Sequence, residues 1–81
     1  MRLLYFAWVR TKIGLAEEEV SPPAHVSTLS ELLAWLGTRG PGHAAAFANL
    51  SALRFAVNQE HVGLDARVAP GDEVAVFPPV T

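Results

Sequence analysis

The 81-residue chain contains no cysteine, which excludes disulfide bridges, thiolate metal ligands and cysteine nucleophiles. A small fold without disulfides suits a reducing compartment, so we expect a cytoplasmic protein. The length is that of one domain, and we predict a single unit over residues 1–81. A chain this short cannot enclose a large substrate pocket beside its own core. We therefore expect its function on a surface, at a terminus, or in a site that a partner completes.

Charged residues are also scarce, at 17% of the chain where about 25% is usual, and the formal net charge is −2. Without a basic stripe, the sequence does not predict nucleic-acid binding. The apolar run over residues 3–9 is too short to span a membrane. Arg10 and Lys12 follow it closely, with no small-residue cleavage site, so we predict a buried first strand rather than a signal peptide. We expect neither a nucleic acid nor a membrane as a partner.

The chain shows no pattern typical of catalysis or metal binding. His25, His43 and His61 are spaced 18 residues apart, which does not bring ligands together on one metal ion. No glycine-rich phosphate-binding motif is present, because "GTRGPG" is typical of a helix end. The acidic run at 17–19 is typical of a solvated face. We predict no catalytic residue, no metal site and no bound cofactor in this chain.

Regular structure is well marked. "TLSE", starting at Thr28, matches a capping box, and it precedes leucines spaced for one helix face. Strands are predicted at residues 2–7, 52–58 and 73–77, with a weaker one before Pro22 and a short one after the "NQEH" turn. A short helix or turn is predicted over residues 8–14, and a second short helical segment is predicted near Phe47. This order of elements predicts an α+β fold, with a mixed sheet packed on one main helix.

Strand alternation divides the sheet into two faces. One face would pack on the main helix. The other would present five apolar side chains, and hydrophobic residues are 51% of the chain, more than one small core hides. Two interpretations remain open: this second face is covered by loops or by the segment near Phe47, or it binds another protein through aromatic anchors. The second face comprises Leu4, Phe6, Ala56, Ala75 and Phe77.

Three stretches of the sequence resemble one known family. "PGDEVAVFPPVT" resembles the C-terminal signature of the MoaD-type ubiquitin-like sulfur carriers, the small subunits of molybdopterin synthase. "LYFAWVRTKIG" resembles their opening strand and A-x-V-R-x-x-x-G stretch, and "AVNQEHV" is similar to their A-V-N-x-x-x-V segment. The matching positions of the second stretch are Ala7, Val9, Arg10 and Gly14. The three stretches span nearly the whole chain in the family's order.

The resemblance implies a β-grasp fold and a sulfur-transfer role in molybdenum cofactor biosynthesis. In this family a partner activating enzyme of the MoeB type uses ATP to adenylate the C-terminal carboxylate of a Gly-Gly tail. The carboxylate becomes a thiocarboxylate, and its sulfur passes to a cyclic pyranopterin precursor inside the MoaE-type large subunit. The implied assembly is a heterotetramer of small subunits on a large-subunit dimer.

The resemblance also implies roles for individual residues. The tail that enters partner active sites corresponds to Pro78, Pro79, Val80 and Thr81. The predicted partner interface consists of Leu4, Phe6, His61, Ala75 and Phe77.

This chain departs from the family in ending at Thr81, without the two glycines that carry the reactive carboxylate. We expect a trimmed form of a carrier; the alternative is a β-grasp interaction module without chemistry. A carrier for another pathway, such as the thiamine type, is a further alternative. The "FPPV" block and the long middle segment argue against the thiamine type.

Overall fold

A computed structural model describes residues 1–79 and contains three α-helices and five strands in that range. One mixed sheet has the strand order β2-β1-β5-β3-β4, in which β1 and β5 are parallel and the other neighbours are antiparallel. The predicted α+β class is confirmed. In chain order the elements are β1 (Arg2–Tyr5), α1 (Ala7–Ile13), β2 (Glu17–Glu19), α2 (Leu29–Gly37), α3 (Pro41–Ala46), β3 (Arg54–Val57), β4 (Glu60–Val62) and β5 (Glu73–Phe77).

The main helix α2 begins with the predicted capping box. The Thr28 hydroxyl accepts the backbone N–H of Glu31 at 3.2 Å, and the Glu31 carboxylate accepts the backbone N–H of Thr28 at 3.0 Å. This exchange satisfies two donors that a helix start would otherwise leave unpaired. The predicted apolar stripe faces the sheet and is buried: Leu29, Leu32, Leu33 and Leu36.

The first strand is shorter than the sequence predicted. It ends at Tyr5, because Ala7 takes a φ of 55° and turns the chain out of the sheet into α1. The Phe6 N–H donates to the Val76 carbonyl at 3.2 Å, so Phe6 still lies at the end of the β1–β5 pair. Helix α1 stops, as predicted, at Gly14, whose φ of 88° lies in the left-handed region that glycine adopts without a Cβ clash.

The helices contribute buried residues to one core on a single face of the sheet. Phe47 lies in this core with its ring centroid 6.3 Å from that of Tyr5. The interpretation that the segment near Phe47 covers the second face is therefore wrong. Helices α1 and α3 approach closely at Gly42, where a Cβ would lie 2.6 Å from the Lys12 carbonyl oxygen. None of the helices within residues 1–79 has the length and apolar character needed to cross a bilayer.

The prediction that the whole acidic run at residues 17–19 is solvated is wrong for Glu18. Glu18 pairs with Leu3 in the sheet and so points to the helix side, where its side chain is 13% exposed. Its Oε2 accepts a hydrogen bond from the Tyr5 hydroxyl at 2.7 Å and lies 2.7 Å from Nε2 of His43 in α3. Successive side chains of a strand point to opposite faces, so Glu18 in the edge strand β2 is directed to the buried side. Its two hydrogen-bond partners offset the cost of burying a carboxylate. Glu17 and Glu19 are exposed, as predicted.

The surroundings of Glu18 shift two pKa values. Burial acts to raise the pKa of the Glu18 carboxyl, but the hydrogen bonds from His43 and Tyr5 outweigh it, and the pKa is lowered below its ordinary value. Burial, reinforced by the hydrogen bond to Glu18, raises the pKa of the Tyr5 hydroxyl. Tyr5 therefore stays a hydrogen-bond donor, and the cluster joins the edge strand β2 to α3.

We expect Glu18→Gln to destabilise the fold at neutral pH by about 1–2 kcal/mol, since it removes charge-assisted hydrogen bonds. The folded-state pKa of Glu18 lies below the ordinary value of 4.5, so the stabilisation is complete above that value and is lost as the pH falls through the folded pKa. Urea denaturation of wild type and variant from about pH 7 to about pH 3 measures the difference.

The difference in unfolding free energy between wild type and Glu18→Gln should become smaller as the pH is lowered. Glu19→Gln is the matched control, because Glu19 is exposed and makes only a 3.5 Å contact with the N-terminal amine. A wild-type minus Glu18→Gln difference that stays constant with pH would contradict the ionised state assigned to Glu18.

Candidate docking face and tail exit

One row of facing residues crosses the five strands on the side of the sheet that the helices leave uncovered. The strand registers align Leu4 with Ala75, Ala75 with Ala56, and Ala56 with His61. Glu17 of β2 continues the row beyond Leu4. Directly paired residues in a sheet point to the same side, so this row defines the surface. We call it the open face; its central residues are Leu4, Phe6, Ala56, His61, Ala75 and Phe77.

An aromatic group lies at one end of the open face. Phe6 is 48% exposed, and Phe77 is half-buried at the end of β5. The exposed His61 ring meets Phe77 edge-on, with centroids 5.5 Å apart and planes at 84°. Because β1 and β5 are parallel, Phe6 and Phe77 come to the same end of the sheet. Aromatic side chains presented this way are typical anchors of protein interfaces.

The structure brings the predicted interface residues onto one surface. Leu4 and Ala75 are half-buried, and Ala56 is only 8% exposed between its neighbours on this face. The alternation argument thus placed these side chains together correctly. Their contact with a partner remains a prediction.

The tail leaves from the aromatic end of this face. Pro78 and Pro79 follow Phe77 directly, and Pro79 is exposed. Each proline fixes its own φ and lacks an N–H, so neither can donate to a further strand ladder. Val80 and Thr81, the other two predicted tail residues, lie outside the described residues.

Arg54 was missed as a site residue. It is exposed and pairs with Phe77 across the β3–β5 register, so it belongs to the open face. Its Nη1 donates to the carbonyl oxygens of Leu53 at 2.8 Å and Ser51 at 3.3 Å. Alternation alone could have found it, because Arg54 shares a face with Ala56 two residues later.

The histidines do not form a common site in the structure. His43 lies against Glu18 on the helix side, whereas His61 lies on the open face. In the described range, no three histidine or carboxylate side chains come together in a way that could hold a metal ion.

The sequence profile of the ThiS family matches residues 3–81. The chain belongs to the ThiS family. It is 36% identical over 84 residues to the molybdopterin synthase sulfur carrier subunit of Homo sapiens, covering 100% of this chain and 91% of that protein. It is 37% identical over 81 residues to the protein of the same name from Escherichia coli, covering 100% and 96%. The resemblance to ubiquitin-like sulfur carriers is confirmed.

Solved structures agree on the fold of this ThiS family member. SAMP1 from Haloferax volcanii superimposes with a TM-score of 0.80 at 24% identity, over 99% of this chain and 94% of that chain. A protein-protein complex of subunits 1 and 2 of the molybdopterin-converting factor from Helicobacter pylori contains a chain with a TM-score of 0.64 at 21% identity, over 99% and 93%. The predicted ubiquitin-like β-grasp fold is confirmed.

Proposed function

We propose that this protein is the sulfur-carrier subunit of a molybdopterin synthase. The observation that carries the proposal is full-length similarity, at 36% and 37% identity, to two proteins named molybdopterin synthase sulfur carrier subunit. Those names also support this pathway over a thiamine-type carrier. The geometry agrees with the role, because an exposed proline pair leaves the sheet beside an aromatic docking surface.

The first part of the proposed mechanism is activation at the C-terminus. In the working form, two glycines follow Thr81, and their terminal carboxylate is adenylated with ATP by an activating enzyme. A sulfur donor at the oxidation level of sulfide then attacks the acyl carbon, forming the C–S bond as the bond to the AMP oxygen breaks, and AMP leaves to give the thiocarboxylate. Glycine at this position lets the backbone approach reactive groups closely, since it has no Cβ. The carrier itself needs no nucleophile, base or bound cofactor, because the activating enzyme supplies the reaction site.

The second part is delivery of the sulfur to a pyranopterin precursor in the large subunit. The open face docks on that subunit, and the tail extends from the docked edge into its active site. Pro78 and Pro79 cannot donate to the sheet ladder, so they favour an extended path away from β5. The Helicobacter pylori complex of subunits 1 and 2 supports a large-subunit partner of this kind. The assembly would place small subunits on a large-subunit dimer.

The proposed reactions place the protein in the cytoplasm. ATP-dependent activation requires a compartment that contains ATP and the activating enzyme. A chain with no cysteine has no disulfide that a reducing compartment could break.

The test of carrier function is the intact mass of the protein purified from its own host, with fragmentation of the C-terminus. We expect a form extended past Thr81 by two glycines, part of it with one terminal oxygen replaced by sulfur. The same host without the gene for its activating enzyme is the control and should yield only the carboxylate form. A natural chain with a different C-terminal sequence, or no sulfur-containing fraction in the wild-type host, would contradict carrier function.

The docking part of the proposal is tested by Phe77→Asp. We expect the variant to bind the large subunit at least roughly thirtyfold more weakly, or about 2 kcal/mol, because it places a charge in an apolar contact. Isothermal titration calorimetry against the large subunit encoded in the same genome measures the loss, and thermal melting of the free variant shows that it still folds.

Leu64→Asp is the matched control for this test. Leu64 is 36% exposed, but it lies beside α2, where its carbonyl accepts the Ser30 N–H, and so it is away from the open face. This variant should bind like wild type. Equal affinities for the two aspartate variants would show that the open face does not dock the large subunit.

A further inference from the structure

The charged side chains of the open face are separated along the strands. At the end of the face where β1 and β5 begin, Arg2 pairs with Glu19 on one side and with Glu73 on the other. Glu17 lies on the same face and pairs with Leu4. Arg2 and Glu17 form an ion pair there. At the opposite end, where the tail leaves, the charged side chain on β3 is Arg54, beside Phe77. One end of the face is therefore acidic and the tail end is basic.

Two hydrogen bonds restrain the Arg54 side chain and leave other N–H donors of its guanidinium available to a partner. Both of its hydrogen bonds run from Nη1 to backbone carbonyls, which restrict the position of the guanidinium. A guanidinium has five N–H donors, and within residues 1–79 the Nε and Nη2 groups make no hydrogen bond to the protein. No carboxylate in the described part of the chain forms an ion pair with Arg54. The ion pairs in that part of the chain join Met1 with Glu19, Arg2 with Glu17, and His43 with Glu18.

We propose that Arg54 is a specificity-determining residue of the docking face and that it pairs with a carboxylate on the large synthase subunit. This inference rests on the proposed function, which supplies the partner. The partner surface would combine an apolar centre, facing Leu4, Ala75 and Phe77, with an acidic side chain opposite Arg54.

A carboxylate is the group that such an arginine recognises best. The planar guanidinium can offer two parallel N–H donors, and carboxylate geometry matches that pair. The backbone carbonyls already restrict the side chain, so pairing would cost less conformational entropy than it would for a free arginine. The adjacent Phe77 would exclude water from one side of the pair and strengthen it.

The position of Arg54 gives the pair a role in orientation. Arg54 pairs with Phe77, the last residue of β5 before the tail begins. The acidic end of the open face lies at the other end of β5, where the strand starts at Glu73. A partner surface acidic at the tail end and basic at the other end fits the face in one rotation only, since the reverse rotation opposes like charges. The favoured rotation directs the tail to the same place at each encounter.

The test measures association with the large subunit from the same genome by surface plasmon resonance. We expect Arg54→Glu to slow association by about tenfold at low ionic strength, because it replaces attraction by repulsion. Arg54→Gln removes the charge without reversing it and should give a smaller loss. At about 1 M salt, where the Debye length is near 3 Å, the association rates should converge.

Arg67→Glu is the matched control, since Arg67 is exposed but its backbone bridges to Thr28 beside α2, away from the open face. It makes the same charge change in the whole molecule and should associate close to the wild-type rate. Equal rates for Arg54→Glu and Arg67→Glu, with wild type binding normally, would overturn the role of Arg54 and leave the proposed function intact. A wild-type protein that did not bind the large subunit would overturn both.

Discussion

The parallel pairing of β1 with β5 is the constraint on which the rest of the structure depends. It brings the first and last strands of the chain together in the middle of the sheet. Leu3 and Val74 then face the helices, whereas their neighbours Leu4 and Ala75 face outward. Because the two strands run in the same direction, the turn at Ala7 and the tail after Phe77 lie at one end. The core, the open face and the tail exit all follow from this single register.

The one-sided placement of the helices explains how so small a protein leaves one face of its sheet uncovered. The three helices contribute to the core on one face, so the opposite face is left with partly buried apolar side chains. A chain of this length has no room for an enclosed site as well as a core. In the proposed function the activating enzyme and the large subunit supply the reaction sites, and the carrier supplies a docking surface and a reactive end.

Local sequence signals predicted much of the fold, but contacts between distant residues were beyond them. The capping box of α2 and the leucine stripe depend on near neighbours and were read correctly. Strand alternation also predicted the open face. The end of the first strand at Tyr5 was missed because it depends on a left-handed Ala7, and the burial of Glu18 depends on His43, 25 residues away. Arg54 could have been placed on the open face, but its fixation by backbone carbonyls could not have been foreseen.

The central claim is that the open face, and not the helical side, contacts the large subunit. Nuclear magnetic resonance of methyl groups, recorded while the large subunit is added, tests it most directly. The account predicts shifts or broadening of the Leu4, Ala56 and Ala75 methyl signals, with little change at Ala34 on the exposed side of α2. Perturbation centred on Ala34 and Leu64, with Leu4 and Ala75 unchanged, would contradict it.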